Sequence, residues 1–277
     1  MISLPRPHWS YSAISQYLRC PLQFYFKRIL KLPELRMGSG LLLGSAVHHA
    51  LACYHQTLQQ HGDVNRDDLH REFREHFALR ESEVKVDWKP GESSEELAVQ
   101  GIGLLDLYLN QPPPTDIVAV EQTLLVPLIT SEGDILETPL MAIADLVTGD
   151  SRVLKITEFK TSGRSYGEFE VHRSLQATCY AHALHEQTGI WPTVEYAVLV
   201  KTKSPKLQQL KTTRNERDGN RLGDLVKQIE TGIENQVFYP VESPLNCSGC
   251  AFREPCQDWK PRSCSAPVVP LNGRSTC

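Results

Sequence analysis

Apolar and aromatic residues recur at helical spacing in residues 10–30, SYSAISQYLRCPLQFYFKRIL, behind serines suited to capping. Pro21 predicts a break or kink there. Residues 38–62 predict a longer helix, opened by Gly and Ser and closed by Gly62. Residues 65–80 are charged with an apolar stripe, the pattern of a surface helix. Residues 85–94 read as a polar loop. Ser93 and Glu96 then form a capping box for a helix to about Asn110, which QPPPT stops. At Asp116 the pattern becomes that of strands. DIVAVEQTLLVPLI, ILETPLMAIADLVT and VLKITEFKT, separated by the turns SEGD and GDSR, predict a three-strand antiparallel meander. A helix over about 169–188 ending at Gly189, a strand TVEYAVLV (193–200), a hairpin in KTKSPKLQQLKTTR and a final helix over 218–235 follow. This order predicts an α/β core sheet with an N-terminal helical layer. The tail 259–277, rich in Pro, Ser and Gly, reads as poorly ordered and flexible.

The 277 residues are 40% hydrophobic and 22% charged, enough for one large domain or two small ones with a sizeable core. No apolar run approaches the roughly 20 residues of a membrane helix. MISLPRPHWS lacks the apolar segment of a secretory signal, so the expected location is cytoplasmic. In a reducing cytosol, eight cysteines point away from a disulfide framework. The net charge of −4 means that any nucleic-acid binding must rest on local patches and bound cations.

Candidate chemistry concentrates in the meander. Asp145 ends the apolar stretch LMAIAD, and Glu158 and Lys160 stand two apart in KITEFKTS, which on a strand puts both on one face. If the turn TGDSR pairs the two strands, Asp145 and Glu158 lie side by side. Two close carboxylates repel unless a cation sits between them, and oxygen ligands suit Mg2+ or Mn2+. The lysine beside them can orient water or steady developing negative charge. Those are the parts that phosphodiester cleavage needs. Glu-x-Lys alone is also a common surface ion pair; the flanking apolar strands set this one at the edge of a core.

An acidic residue ending one hairpin strand, followed by (D/E)-x-K on the next, resembles the PD-(D/E)XK nuclease superfamily, and most of all its RecB-like branch. GSAVHHAL resembles that branch's Gly-x-x-x-His motif, with Gly44 and His48 in place. LQATCYAHAL resembles its Gln-x-x-x-Tyr motif, with Gln176 and Tyr180 one helical turn apart. The resemblance covers roughly residues 10–258. It implies a restriction-endonuclease-like mixed sheet core flanked by helices. It also implies His48 as a further metal ligand and Gln176 and Tyr180 as supports for the metal site and the DNA backbone. By composition alone His49 is as good a candidate as His48. One departure is Ala142, where the family often has Gly three residues before the Asp. Glu121 is either an assisting carboxylate or an exposed strand residue.

NCSGCAFREPC holds Cys247, Cys250 and Cys256, three ligands of a four-ligand site. Four thiolates bind Zn2+ or an iron–sulfur cluster, and spacing does not choose between them. Cys264 is the local candidate for the fourth. YLRCPLQFYF resembles the start of RecB-like nucleases carrying a 4Fe–4S cluster, such as AddAB-type nuclease subunits and CRISPR-associated exonucleases, which makes Cys20 the fourth ligand by resemblance. Cys53 and Cys179 read as packing residues on helices. Arg19, Lys27, Arg28, Lys31 and Arg36 form one basic group, mingled with Trp9, Tyr11, Tyr17, Phe24, Tyr25 and Phe26. Lys201, Lys203, Lys206, Lys211 and Arg214 form another. Such charges and rings suit a single-strand channel, although Phe24 and Phe26 fit a core stripe better. The resulting expectation is a nuclease domain over 1–258, with a helical part (1–111), a core (112–235) and an iron–sulfur segment (236–258). Its partner is DNA, with a helicase or CRISPR integrase as a possible associate and no membrane. The activity expected is an Mg2+- or Mn2+-dependent exonuclease on single-stranded ends, in repair, recombination or CRISPR adaptation. The rival is a non-cleaving DNA-end-binding subunit.

Overall fold

A computed structural model describes residues 7–34 and 36–260; Cys264, Cys277 and the tail beyond 260 lie outside the described residues. Five strands build the central sheet: β3 (Ile117–Val126), β4 (Leu140–Gly149), β5 (Leu154–Ser162), β6 (Thr193–Val200) and β7 (Lys206–Thr213), in that order. All neighbours are antiparallel except β5 and β6, which run parallel. The meander β3–β4–β5 is the one read from the turns. The hairpin at 201–214 uses β6 as its first arm.

A layer of helices covers each face. On one side α1 (Tyr11–Arg19), α7 (Leu175–Thr188) and α8 (Glu216–Glu234) bury Ile14, Tyr17, Ala177, Leu222 and Val226 against Leu124, Ile156 and Val198. On the other, α3 (Ser39–His61), α4 (Arg66–Glu83) and α5 (Ser94–Leu109) bury Leu43, Val47, Phe73 and Leu104 against Leu146, Phe159 and Leu199. Ser10, Asn65, Ser93, Ser174 and Asn215 cap α1, α4, α5, α7 and α8 by accepting from backbone N–H groups of the first turn. Pro21 starts α2 (Pro21–Phe24) after an extended Cys20, and a π-helical turn Tyr25–Ile29 continues it. Among the described residues no helix is long and apolar enough to cross a membrane.

Two expectations need correction. Lys85–Asp87, read as loop, is a short strand β2 pairing in parallel with β1 (Arg36–Gly38), and the Arg36 guanidinium is bonded to Asp87. Three residues are too few for periodicity to register. The helix over 169–188 is two helices, α6 (Glu168–His172) and α7. Between them the His172 and Ser174 carbonyls accept from the buried Arg214 guanidinium, which also binds Thr178, Thr212 and the Thr213 carbonyl. A partner 40 residues away in sequence breaks that helix.

The β4–β5 turn sets the register of the hairpin that carries the acidic residues. Gly149 has φ +128, and a Cβ there would collide with the Val153 carbonyl oxygen. The Asp150 carboxylate accepts from the Arg152 and Val153 N–H groups. Gly149→Ala combines a disfavoured φ with a backbone clash, so it is expected to lower unfolding free energy by about 2 kcal/mol or more. Urea unfolding checks this; an unchanged midpoint would mean the turn relaxes freely.

Candidate active site

Backbone pairing between β4 and β5 runs from Gly149↔Leu154 to Leu146↔Thr157. Beyond it β4 stays with β3 and β5 stays with β6, so the two strands part. The first residues past the last pair are Asp145 and Glu158. Asp145 Oδ2 accepts the Phe159 N–H at 2.9 Å, taking over from the ladder where it ends. At the same level the face alternation slips in both β3 and β4. Ala142, Ala144 and Val147 pack in one core and Leu146 in the other. On β3, Leu124 and Val126 belong to the first core while Val120 packs on the second. The slip in β3 falls at Glu121, whose φ of +51 is a left-handed conformation that a non-glycine residue rarely adopts. That strain brings the Glu121 carboxylate into the cleft holding Asp145 and Glu158.

The cleft, about 530 Å3, is lined by His48, His49, Cys53, Glu121, Asp145, Glu158 and Tyr180 among others. The Lys160 ammonium donates to Glu158 Oε1 at 2.6 Å, and Gln176 Nε2 donates to the same oxygen at 2.7 Å and to the Tyr180 hydroxyl at 2.9 Å. Gln176 thereby fixes the Glu158 side chain. The other oxygen, Glu158 Oε2, is buried and has no hydrogen-bond partner. His48 Nδ1 lies 3.5 Å from Asp145 Oδ2. Consecutive residues on a helix diverge, so His49 points instead to Glu72 on α4, at 3.6 Å. The structure therefore separates the two histidines that composition left equivalent. Gly44, one turn before His48, lets α3 approach β5: a Cβ there would stand 3.3 Å from Thr161 Oγ1.

Burial, then the Glu158 charge, raises the Asp145 carboxyl well above its ordinary value, against the opposing pull of the Phe159 N–H. Burial, then Glu158, also raises Glu121. Burial lowers the Lys160 ammonium, but Glu158 and Asp145 outweigh it and leave the group raised and protonated. Burial dominates at His48 and lowers it, so the ring is neutral near pH 7 with a lone pair to offer. The site thus gathers carboxylate oxygens, one of them unpartnered, and a neutral imidazole. That donor set fits a hard divalent cation such as Mg2+ or Mn2+.

A model of the PD-(D/E)XK nuclease superfamily matches residues 8–257. The chain belongs to the PD-(D/E)XK nuclease superfamily. Members of this superfamily hydrolyse phosphodiester bonds and generally use divalent metals such as Mg2+ or Mn2+. A solved structure of a candidate exonuclease from Eubacterium rectale is similar in fold, with a TM-score of 0.55 and 12% identity over 93% of this chain and 91% of that one. A second, of the protein SSO0001, is more distant: TM-score 0.34, 13% identity, over 87% of this chain and 92% of that one. No curated protein matches the sequence.

Other candidates divide. The thiols of Cys20, Cys247 and Cys250 lie near enough to Cys256 to act on its ionisation, and Leu22, Phe26 and Phe252 pack around Cys20, Cys250 and Cys256. Cys179 is fully buried, whereas Cys53, read as a packing residue, has His49 and Glu72 as polar neighbours. Cys53 stands at the edge of the apolar face of its helix, three residues after the buried Ala50 and beside the polar rim. Arg214 and Arg28 leave the basic groups as buried structural residues; Arg28 binds Gln16 and Ser12. Trp9 and Tyr17 join Phe24 and Phe26 in the interior. Sequence reasoning did not single out Tyr166. With Tyr11, Tyr196, Lys160 and Gln176 it lines a second cleft of about 350 Å3.

Without a cation, ionised Asp145 is a stability cost. Its folded value is raised above the unfolded one, so the penalty is present at neutral pH, shrinks as pH falls below the raised value and is gone below the unfolded one. In metal-free protein at neutral pH, Asp145→Asn keeps an acceptor for Phe159 and is expected to raise the melting temperature. Mg2+ or Mn2+ should stabilise the unsubstituted protein and not the variant. Thermal melts with chelator and with added cation check both; a less stable metal-free variant would overturn the electrostatic reading.

Proposed function

We propose that the protein is an Mg2+- or Mn2+-dependent deoxyribonuclease acting as an exonuclease on single-stranded DNA ends. The observation that carries this reading is Glu158 Oε2: buried, unpartnered, and in one cleft with Asp145, Glu121 and a neutral His48. An orphaned buried carboxylate oxygen is costly unless a cation meets it. Asp145, Glu158 and His48 would hold the ion, with Glu121 beside them. A bound divalent cation supplies positive charge for the phosphate and makes water more acidic. Gln176 keeps Glu158 oriented, with Tyr180 behind it. Protonated Lys160 stands between the two clefts and donates to an anionic oxygen arriving there.

The single-strand preference draws on the second cleft, where Tyr11 and Tyr166 offer ring faces beside Lys160, and Arg164 lies over Tyr166. We place the four-cysteine group, Cys20 with Cys247, Cys250 and Cys256, as the holder of a 4Fe–4S cluster. The reading is supported by the meeting of Cys20 with the three C-terminal thiols around Cys256, enclosed by Leu22, Phe26 and Phe252. Such a link would tie α1 to the C-terminal segment over a very long loop, worth roughly 5 kcal/mol on the loop-entropy model. On this reading 1–258 is one nuclease unit in the cytoplasm, serving repair, recombination or CRISPR adaptation, with a helicase or integrase as partner.

Incubation of end-labelled single-stranded DNA with Mn2+ or Mg2+ tests the enzyme reading. Shortening of the labelled strand is expected, with Lys160→Ala slower by on the order of 100-fold to 1000-fold. Binding without cleavage would favour a non-cleaving end-binding subunit instead. For the cluster, anaerobically prepared protein should carry iron and broad visible absorbance, and Cys20→Ser should lose both along with thermal stability. Zinc without iron, or a cluster that survives the substitution, would overturn that assignment.

A further inference from the structure

A second group of ligand-type side chains stands at the rim of the cleft, between α3 and α4. His49 and Cys53 are four residues apart on α3 and so share a face, and Glu72 on α4 meets them. His49 Nε2 lies 3.6 Å from Cys53 Sγ and 3.6 Å from Glu72 Oε2, and Cys53 Sγ lies 3.9 Å from that same Oε2. One atom from each residue thus forms a nearly equilateral triangle.

The two sides at sulfur are within reach of weak thiol hydrogen bonds, but the His49–Glu72 side is wider than ordinary pairing. A charge-assisted His–Glu hydrogen bond closes to about 2.7–2.9 Å, and here it stays open. A tetrahedral Zn2+ with bonds of about 2.0–2.1 Å to nitrogen, about 2.3 Å to sulfur and about 2.0–2.2 Å to oxygen has edges of about 3.6 Å (N–S), about 3.4 Å (N–O) and about 3.6 Å (S–O). The three separations match those edges to within about 0.3 Å. The imidazole of His49 is also held in place. It stacks on His76, with centroids 4.2 Å apart at 15°, and His76 is hydrogen-bonded to Ser45 at 3.0 Å.

We propose that His49, Cys53 and Glu72 form a site for a borderline transition ion of the Zn2+ class, separate from the oxygen-rich site at Asp145 and Glu158. Imidazole and thiolate select such an ion over Mg2+, which prefers oxygen alone. Three protein ligands leave a fourth position for water, and His49 and Cys53 also line the nuclease cleft. Burial, then the Glu72 charge, raises the Cys53 thiol in the metal-free protein, so loading transfers the thiol proton to solvent. The resulting thiolate and the Glu72 carboxylate balance the double charge of the ion. One turn of α3 then serves two metal sites, His48 facing the hard one and His49 the softer one. The bound ion also joins α3 to α4 at the cleft's edge.

The test uses full-length protein with its four-cysteine group loaded and Mg2+ in excess. Zinc titration against a chromophoric chelator should show one more equivalent bound by the unsubstituted protein than by Cys53→Ser. Loss of this ligand should weaken affinity by more than the roughly 10–100-fold typical of an outer-shell partner. Co2+ should give a thiolate-to-metal charge-transfer band that Cys53→Ser and His49→Ala lack. Equal zinc stoichiometry with no difference band would overturn the proposal. A measurement on unsubstituted protein removes any dependence on how the variants fold. Zn2+ should protect Cys53 from alkylation, read by peptide mass spectrometry, and Mg2+ should not. Equal labelling of Cys53 with and without Zn2+ would also overturn it.

Discussion

Asp145 and Glu158 are two carboxylates buried at the point where β4 and β5 separate, and the rest of the site is arranged around that conflict. Like charges on buried side chains raise each other's proton affinity. Here Lys160 and Gln176 converge on one oxygen of Glu158, the Phe159 N–H binds Asp145, and one carboxylate oxygen is left over. The parting of the strands makes this possible. A continued ladder would have left no opening between the two helical layers. Because the strands diverge, α3 reaches Asp145 from one side through His48 and α7 reaches Glu158 from the other through Gln176.

The parted edge of β4 needs its own cover, and the N-terminal segment supplies it. Trp9 bridges to Leu140, with hydrogen bonds from the Trp9 N–H to the Pro139 carbonyl and from the Met141 N–H to the Trp9 carbonyl. Its indole donates to Glu230 on α8. The helix that follows sets Tyr11 in the cleft with Lys160 and ends at Cys20, against the C-terminal cysteine segment. One short stretch of chain thus connects the sheet edge, the tyrosine-lined cleft and the four thiols. Any stiffening at Cys20 acts on the wall of the cleft through a single helix of nine residues.

Charge reinforces this division of labour. With a net charge of −4 and an acidic cleft, the chain offers an anionic polymer little general attraction. Several basic residues are already committed within the fold: Arg28 to Gln16 and Ser12, Arg214 to the α6–α7 junction, Lys211 to Glu195. Arg19, Lys31, Lys203 and Lys206 remain at the surface. Beside the acidic cleft itself, positive charge stands on Lys160, bonded to Glu158.

Local pattern was enough to read much of the architecture. Strand-type residues and turns specified the meander, Gly62 and Gly189 marked the ends of α3 and α7, and the order of elements implied an α/β core sheet with an N-terminal helical layer; the mixed sheet came from the family resemblance. Asp145, Glu158 and Lys160 stood out because alternation and a short turn are themselves local rules. The limits were equally physical. The break between α6 and α7 depends on Arg214, the β1–β2 pair joins segments 49 residues apart, and the left-handed Glu121 is held by strand pairing. A pattern along the chain could not distinguish His48 from His49, nor show that Cys53 faces Glu72 rather than the core. The sequence by itself determined which elements form and which of them bear the acidic, basic and thiol side chains. Tertiary structure decided which of them meet, because distance, burial and unpartnered atoms arise only when remote segments pack.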